Sequence, residues 1–265
     1  VVLSLGYAIN NQLSVGAQGQ YYFGAIDRYS NIIYTTNPYF SSVVAGTSLK
    51  VGNFGATLGA QYERPLSKDL HLTVGATYQF STSLGSRYLD FAYAHTSGMV
   101  DTVRYTDKKG ASISIPQTIS FGASIRKGDL WMAGLEYVYQ HWNDKALDDA
   151  SPEHRFSVTP SHLFRAGAEW TPRRHDFRNY FNRCTYRIGL NYEKTYMNFN
   201  GHQINDIGAS IGFGLPVNRW NTSVNIAAEI GQRGTTQDNL IRETYFKFSV
   251  SFSLYDIWFF KQQID

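Results

Sequence analysis

The sequence lacks several features that would indicate common classes of protein. It has no run of eighteen apolar residues, which excludes a membrane-spanning helix. Its single cysteine, Cys184, excludes an internal disulfide, and with no base nearby it is expected to be an inert filler. The seven histidines show no metal-ligand spacing, and the small net charge of +3 is spread out. We therefore predict no metal, no cofactor and no nucleic-acid partner.

Strand-like alternation is present along nearly the whole chain. Residues 246–254 alternate apolar and polar side chains: Phe246, Lys247, Phe248, Ser249, Val250, Ser251, Phe252, Ser253 and Leu254. Successive strand side chains point to opposite faces, so one face is apolar and the other polar. The chain is 43% hydrophobic and 15% aromatic, yet its mean hydropathy is −0.32. This combination predicts an all-β, transmembrane antiparallel β-barrel, since only alternate residues of such a strand meet lipid.

A glycine between apolar residues recurs in phase with this alternation. In each copy the glycine is expected on the polar face, where it leaves room or lets the strand bend. The copies contain Gly16, Gly59, Gly75, Gly122, Gly134, Gly167, Gly189 and Gly212.

We predict one barrel domain, 1–265, with eleven spanning strands. They cover 1–9, 13–24, 41–63, 70–81, 117–126, 130–141, 161–171, 184–194, 206–215, 221–232 and 244–255, and the third is expected to bend near Gly52 or Gly55. The connections alternate between short and long, which assigns the long ones, including 195–205, to the outside. The longest, 82–116, is predicted to be an extracellular loop with its own hairpin, formed by 87–95 and 99–106.

An odd strand number cannot close a normal single-chain barrel. We therefore expect N-terminal strands to be missing from this chain; three more would give fourteen. The alternative is that 41–63 contains two strands, which gives twelve but breaks the alternation of connections. Aromatic residues near the short-turn rim predict an interfacial girdle: Trp170, Tyr180, Phe181, Tyr186, Trp220, Tyr255 and Trp258.

Charged residues fall on the predicted polar face. They serve either as an ion-pair lattice that braces the wall or as a polar conduit that selects a solute, and the sequence does not separate these hypotheses. The candidate lumen-lining residues are Arg126, Glu136, Arg165, Glu169, Arg187, Glu193, Glu229 and Lys247, with Lys50 and Glu63 assigned to the same face.

Three segments offer weaker signals. The acidic segment 143–155 is a solvated loop or a calcium site, and the apolar segment 31–40 is a ligand funnel or a partner surface. Segment 208–212 matches G-x-S-x-G, but its clean alternation argues against the turn that a hydrolase nucleophile needs. We predict no catalytic residues and no enzyme activity.

Spaced blocks in the C-terminal third resemble the FadL-like outer-membrane family in its Bacteroidota form. The blocks are IGFGLP (211–216), EIGQRGT (229–235), ETYF (243–246) and WF (258–259). The resemblance implies a fourteen-stranded barrel with an N-terminal hatch in the outer membrane of a Gram-negative bacterium. This chain shows no hatch segment and, by the strand count, lacks the first three strands.

The resemblance implies transport of long-chain fatty acids or other hydrophobic compounds across the outer membrane, with a hydrophobic ligand and outer-membrane lipid as partners. The alternative is a non-enzymatic accessory barrel subunit of an outer-membrane protein assembly or secretion complex, with the proteins of that complex as partners.

Overall fold

A computed structural model describes residues 1–34, 40–96, 99–143, 156–176, 178–217 and 222–254. Within these ranges the chain forms a single antiparallel sheet of fourteen strands. The strands are β1 (Val2–Ala8), β2 (Leu13–Ile32), β3 (Ser42–Ser67), β4 (Leu70–Gln79), β5 (Thr82–Thr96), β6 (Met99–Ile115), β7 (Gln117–Lys127), β8 (Trp131–His141), β9 (Ser157–Val158), β10 (Ser161–Trp170), β11 (Thr185–Phe199), β12 (His202–Pro216), β13 (Ser223–Gly234) and β14 (Arg242–Ser253). One short helix, α1 (Tyr180–Arg183), precedes β11. None of the described helices has the length and apolarity to cross a membrane.

The strands of the main path follow chain order. The order is β1-β2-β3-β4-β7-β8-β10-β11-β12-β13-β14, so the eleven predicted strands correspond to eleven observed ones. The predicted all-β class is confirmed. In the described ranges, β1 is paired with β2 alone and β14 with β13 alone. We call these eleven strands the wall.

The long strand β3 changes its partner partway along its length. Thr57–Ser67 pairs with β4, whereas Ser42–Gly52 pairs with β5. The proposal that 41–63 contains two strands is therefore wrong. Gly55 lies at the exchange, where a Cβ atom would be 2.8 Å from Cε2 of Tyr22. A larger residue there would force the side chain of Tyr22 or Thr82 to shift.

The predicted long connection 195–205 is wrong. Strands β11 and β12 run on to a two-residue turn at Asn200 and Gly201, whose φ angles are 52° and 86°. Asn-Gly is the preferred pair for a hairpin turn with positive φ at both central residues. This local signal outweighs the expected alternation of loop lengths.

The pairing register gives the wall one continuous apolar face. Directly opposed residues share a face, so one row can be followed from strand to strand. This row contains Phe246, Ile230, Ala209, Leu190, Ala166, Leu135, Ala123, Val74, Tyr62 and Leu13. Phe246, Leu190 and Leu135 are each more than 60% exposed. Large apolar side chains are therefore exposed on one face of this sheet.

The described part of the chain has only a sparse buried core. Its buried apolar side chains are Leu84, Ala92, Val158, Cys184 and Ile204. A water-soluble protein of this size hides most of its large aliphatic and aromatic side chains. The wall does the reverse, and its apolar face requires an apolar environment.

The opposite face carries the glycines, as predicted. They meet in rows across the register: Gly6, Gly16 and Gly59; Gly75 and Gly122; Gly134, Gly167 and Gly189; Gly208 and Gly231. We call this side the polar face.

Candidate functional site

Six of the eight candidate residues form ion pairs across neighbouring strands of the polar face. Each pair joins residues that are directly opposed in the register. The pairs are Glu136 with Arg165, Glu169 with Arg187, and Glu229 with Lys247, each at 3.3 Å. The register therefore places charged residues that are far apart in the sequence opposite each other on neighbouring strands.

Arg126 and Glu193 lie on the same face without an ion pair in the described ranges. The Arg126 guanidinium donates to Sδ of Met132 at 3.3 Å. Glu193 stands opposite Leu163 on one side and Asp206 on the other. The assignment of Lys50 is wrong: its position has the parity of Leu58, on the apolar side of the register.

Sequence reasoning missed the densest polar cluster. The Tyr245 hydroxyl lies 2.9 Å from Oδ1 of Asp206 and 3.2 Å from Oε1 of Glu229, and its single proton can be donated to one of them at a time. Lys247 approaches the other Glu229 oxygen. The signal was available, because Tyr245 has the same odd parity as Lys247 and the serines that follow it.

Tyr245 reaches this cluster by lying across Gly231. The two residues are directly opposed, and a Cβ atom on Gly231 would overlap the tyrosine ring. Gly208, in the next strand, is also tightly packed: its Cβ would lie 3.1 Å from the Tyr245 hydroxyl. The glycine row thus makes room for an aromatic side chain on the polar face.

The ion pairs remain accessible to water. The side chains of Glu136 and Arg165 are 44% and 57% exposed. At such exposure a cross-strand pair contributes about 0.2–1 kcal/mol. These pairs fit the predicted bracing lattice, and each is a modest contribution to a wide, hydrated surface.

A cavity of about 1020 Å³ covers the glycine side of the sheet. Residues of seven neighbouring strands, from β1 to β10, line it, and they include the Glu136–Arg165 pair. One cavity can touch seven successive strands only if the sheet curves around it. The polar face is therefore concave, and the apolar face is the convex outer side.

A second cavity, of about 340 Å³, lies at the end of the wall where the short connections are. Its lining comes from the β7–β8 turn, the connection before β11 and the ends of β12 and β13. Four arginines and two carboxylates contribute to it: Arg126, Arg174, Arg183, Arg187, Asp129 and Glu169. We call it the rim cavity.

The connection before β11 is ordered by one carboxylate. Asp176 accepts the backbone N–H groups of Arg178 and Asn179 at 2.9 and 3.1 Å, and the side chain of Asn182 at 2.6 Å. These hydrogen bonds, the one from Asn182 foremost, hold the pKa of Asp176 below its usual value. Cys184, directly after α1, is buried.

The hairpin of β5 and β6 extends from β3 beyond the wall. Arg87 forms two hydrogen bonds with Asp107, at 2.8 and 2.6 Å, and Arg104 pairs with Asp90 at 2.9 Å. In the described ranges, β6 pairs with β5 alone. The outer edge of β6 has no strand partner among the described residues, and the side chain of Val103 is 64% exposed.

Several predictions concern residues outside the described ranges. The acidic segment 144–155 and residues 35–39 of the apolar segment are among them, as are Trp220, Tyr255 and Trp258. Of the predicted girdle, Trp170 and Tyr186 lie with their ring centroids 5.7 Å apart. Tyr186 also contacts Phe213, which the prediction did not include, at 5.9 Å. Segment 208–212 lies inside β12, without a strand-to-helix turn.

The fold and the site define an all-β protein with an apolar convex face and a charged concave one. The family model for BamG matches residues 1–265. The chain therefore belongs to the BamG family, which is associated with the Bam complex. No curated protein matches the sequence.

The resemblance to the FadL-like family is therefore wrong, because the family that matches the whole chain is not a FadL-type transporter family. The blocks that suggested it are short motifs of glycine, aromatic and turn residues. Such motifs occur wherever a strand alternates apolar and polar residues and ends in a turn, so they do not distinguish one family of β-sheet proteins from another.

Proposed function

We propose that this chain is a non-enzymatic accessory barrel subunit of the outer-membrane assembly complex of a Gram-negative bacterium. The observation that carries the proposal is the BamG match along all 265 residues. It favours the second of the two functions expected from the sequence, and the transporter hypothesis has no support from it.

The faces of the wall support a location in the outer membrane. An apolar convex face that runs across ten strands fits a lipid surface, and a concave face with glycines and ion pairs fits a hydrated interior. The short connections then lie in the periplasm and the β5–β6 hairpin lies outside the cell.

The hairpin is the best-placed surface for a protein partner. Met99, Val100 and Tyr105 on β6 are 73%, 63% and 54% exposed, although both faces of the hairpin also carry ion pairs. Exposed apolar side chains next to satisfied charges are typical of a protein interface with a polar rim.

Purification from native membranes tests the proposal. The tagged chain, extracted in a mild detergent, should carry proteins of the Bam complex in stoichiometric amount, as measured by native mass spectrometry. An unrelated outer-membrane barrel with the same tag and a similar abundance serves as the control. Recovery of a lone chain with a bound hydrophobic molecule would contradict the accessory role.

A variant locates the contact. Tyr105→Asp places a charge on the exposed edge of the hairpin without touching the wall, and it should reduce recovery of the partners. Thr102→Asp, on the same strand, is the control: it adds the same charge but removes no apolar side chain, so it should leave recovery of the partners unchanged. Equal recovery with Tyr105→Asp and the parent chain would place the contact elsewhere.

A further inference from the structure

The rim cavity holds more positive charge than its own carboxylates neutralise. Arg174 Nη1 pairs with Asp129 at 3.5 Å, and Arg187 Nε pairs with Glu169 at 3.3 Å. Arg187 also donates to Asn225 Oδ1 at 2.9 Å. These contacts pair two of the four arginines with both carboxylates.

Arg126 and Arg183 remain without a carboxylate in the described ranges. The Arg126 guanidinium donates to the thioether sulfur of Met132, a weak acceptor. The Arg183 guanidinium lies 5.2 Å from the centre of the Tyr180 ring. Its Nε is buried and has no hydrogen-bond partner among the described residues.

A buried donor without a partner is rare in native proteins and calls for an acceptor. The guanidinium group offers a planar fork of N–H donors that matches an anionic oxygen pair. Arg126 and Arg183 therefore bring two guanidinium groups to one cavity without a carboxylate partner among the described residues.

We propose that the rim cavity is an anion site that takes the carboxylate groups of an acidic peptide segment. Its lining residues Arg126, Glu169 and Arg187 lie on the polar face of the register, which favours a peptide over a membrane lipid. Its volume of about 340 Å³ fits one or two short acidic side chains rather than a large ligand. The inference rests on the cavity and stands independently of the proposed function.

A binding measurement on the full chain in detergent tests this site. The probe is a fluorescently labelled, N-acetylated peptide of six glutamates, followed by fluorescence anisotropy at low ionic strength. We expect binding that weakens by at least about tenfold in Arg183→Gln and further in Arg126→Gln/Arg183→Gln, because each change removes charge-assisted hydrogen bonds.

Two variants separate the site from general charge effects. Arg28→Gln/Arg233→Gln removes two arginines near the opposite end of the wall and should bind the peptide like the parent chain. Arg183→Lys keeps the charge but loses the planar fork, so it should bind more weakly than the parent. Retention of the β-sheet circular dichroism spectrum shows that each variant is folded.

Three results would overturn the proposal. The first is equal loss of binding in the Arg28→Gln/Arg233→Gln control. The second is unchanged binding in the double variant at the rim cavity. The third is displacement of the peptide by inorganic phosphate at a much lower concentration than by acetate at constant ionic strength, which would reassign the cavity to phosphate groups.

Discussion

The wall and the β5–β6 hairpin differ in where they carry charge. In the wall, opposed strand residues form ion pairs on the polar face, as Glu136 and Arg165 do. In the hairpin, Arg87 and Asp90 have opposite parity on β5, so their two ion pairs lie on opposite faces. The hairpin therefore carries ion pairs on both faces, which suits water on both sides, whereas the three cross-strand pairs of the candidate residues in the wall all lie on its polar face.

The two regions also differ in the regularity of their pairing. The hairpin has register shifts at Ser86/Arg87 and Ala92/Tyr93. In the wall, the pairing is unbroken from β4 through β10 and again from β12 to β14. A β-bulge leaves backbone groups unpaired, which water can satisfy and hydrocarbon cannot. The described wall strands also have shifts, at Pro65/Ser67 and at Lys194/Asn198, and both lie beyond the row of apolar residues that crosses the wall.

The largest predicted effect tests the apolar face directly. Val250→Arg should lower the free energy of unfolding by about 2–4 kcal/mol in lipid vesicles, because the arginine would face the hydrocarbon. Urea titration followed by tryptophan fluorescence measures the loss. Ser251→Arg, one residue further on the polar face, should have a far smaller effect.

The hairpin provides the matched comparison. Val103→Arg changes an exposed valine of β6, 64% accessible, to the same charged residue. It should leave the unfolding free energy within about 0.5 kcal/mol of the parent, as surface substitutions usually do. Losses of similar size at Val103 and Val250 would remove the distinction between the two regions.

Sequence reasoning recovered the wall better than its contacts. A period of two identifies strands and faces locally, so all eleven strands and the face of Glu229 and Lys247 could be predicted. Cross-strand partners such as Glu136 and Arg165 depend on register, which no single strand encodes. The Asn200–Gly201 turn was readable from the sequence but was overridden by an expectation about loop length.

The function was harder to predict than the fold. Alternation and glycine spacing report the environment of a strand, and many outer-membrane proteins share that environment. A function is carried by specific sites, and the candidates here are contacts such as Tyr245 with Asp206 and the lining of the rim cavity. These are assembled from distant segments and appear only in three dimensions.

The next effect concerns packing on the polar face of the wall. Gly231→Ala should destabilise the chain by about 1–3 kcal/mol, because the added methyl overlaps the Tyr245 ring and pushes it from Asp206. Chemical unfolding in lipid measures the change. Gly6→Ala is a matched control, since a Cβ atom added there would meet no other atom within 4 Å.

A double-mutant cycle identifies the cause. If the clash is with Tyr245, Gly231→Ala should cost much less in a Tyr245→Ser background, where the ring is gone. If Gly231→Ala lost as much stability in that background as in the parent, the glycine would be required by the backbone and not by contact with the tyrosine ring.

A smaller effect compares ion pairs in the two regions. A double-mutant cycle for Glu229 with Lys247 should give a coupling energy of about 0.2–1 kcal/mol, since the pair is partly exposed. The same cycle for Arg87 with Asp107 should give a favourable coupling as well. The hairpin pair has the better geometry, with two parallel hydrogen bonds, and its side chains are about as exposed as those of the Glu229 pair. If the concave face restricts mobile ions, raising the salt concentration should weaken the coupling of the hairpin pair more than that of the Glu229 pair. Equal salt dependence would mean that the concave face screens charge as bulk water does.

The smallest effect tests the short-turn end through pH. The pKa of Asp176 is lower in the folded chain than its usual value, so its contribution to stability is present above about pH 4 and is lost as the pH falls through the folded-state pKa. Asp176→Asn should therefore be less stable than the parent at neutral pH, and the difference should disappear in strong acid. Unfolding in urea at a series of pH values measures it. Asn182→Ala removes the hydrogen bond that lowers the pKa of Asp176 most, so Asp176→Asn should cost less stability in that background. If the stability of the parent and of Asp176→Asn changed with pH in parallel, the carboxylate would not order this connection.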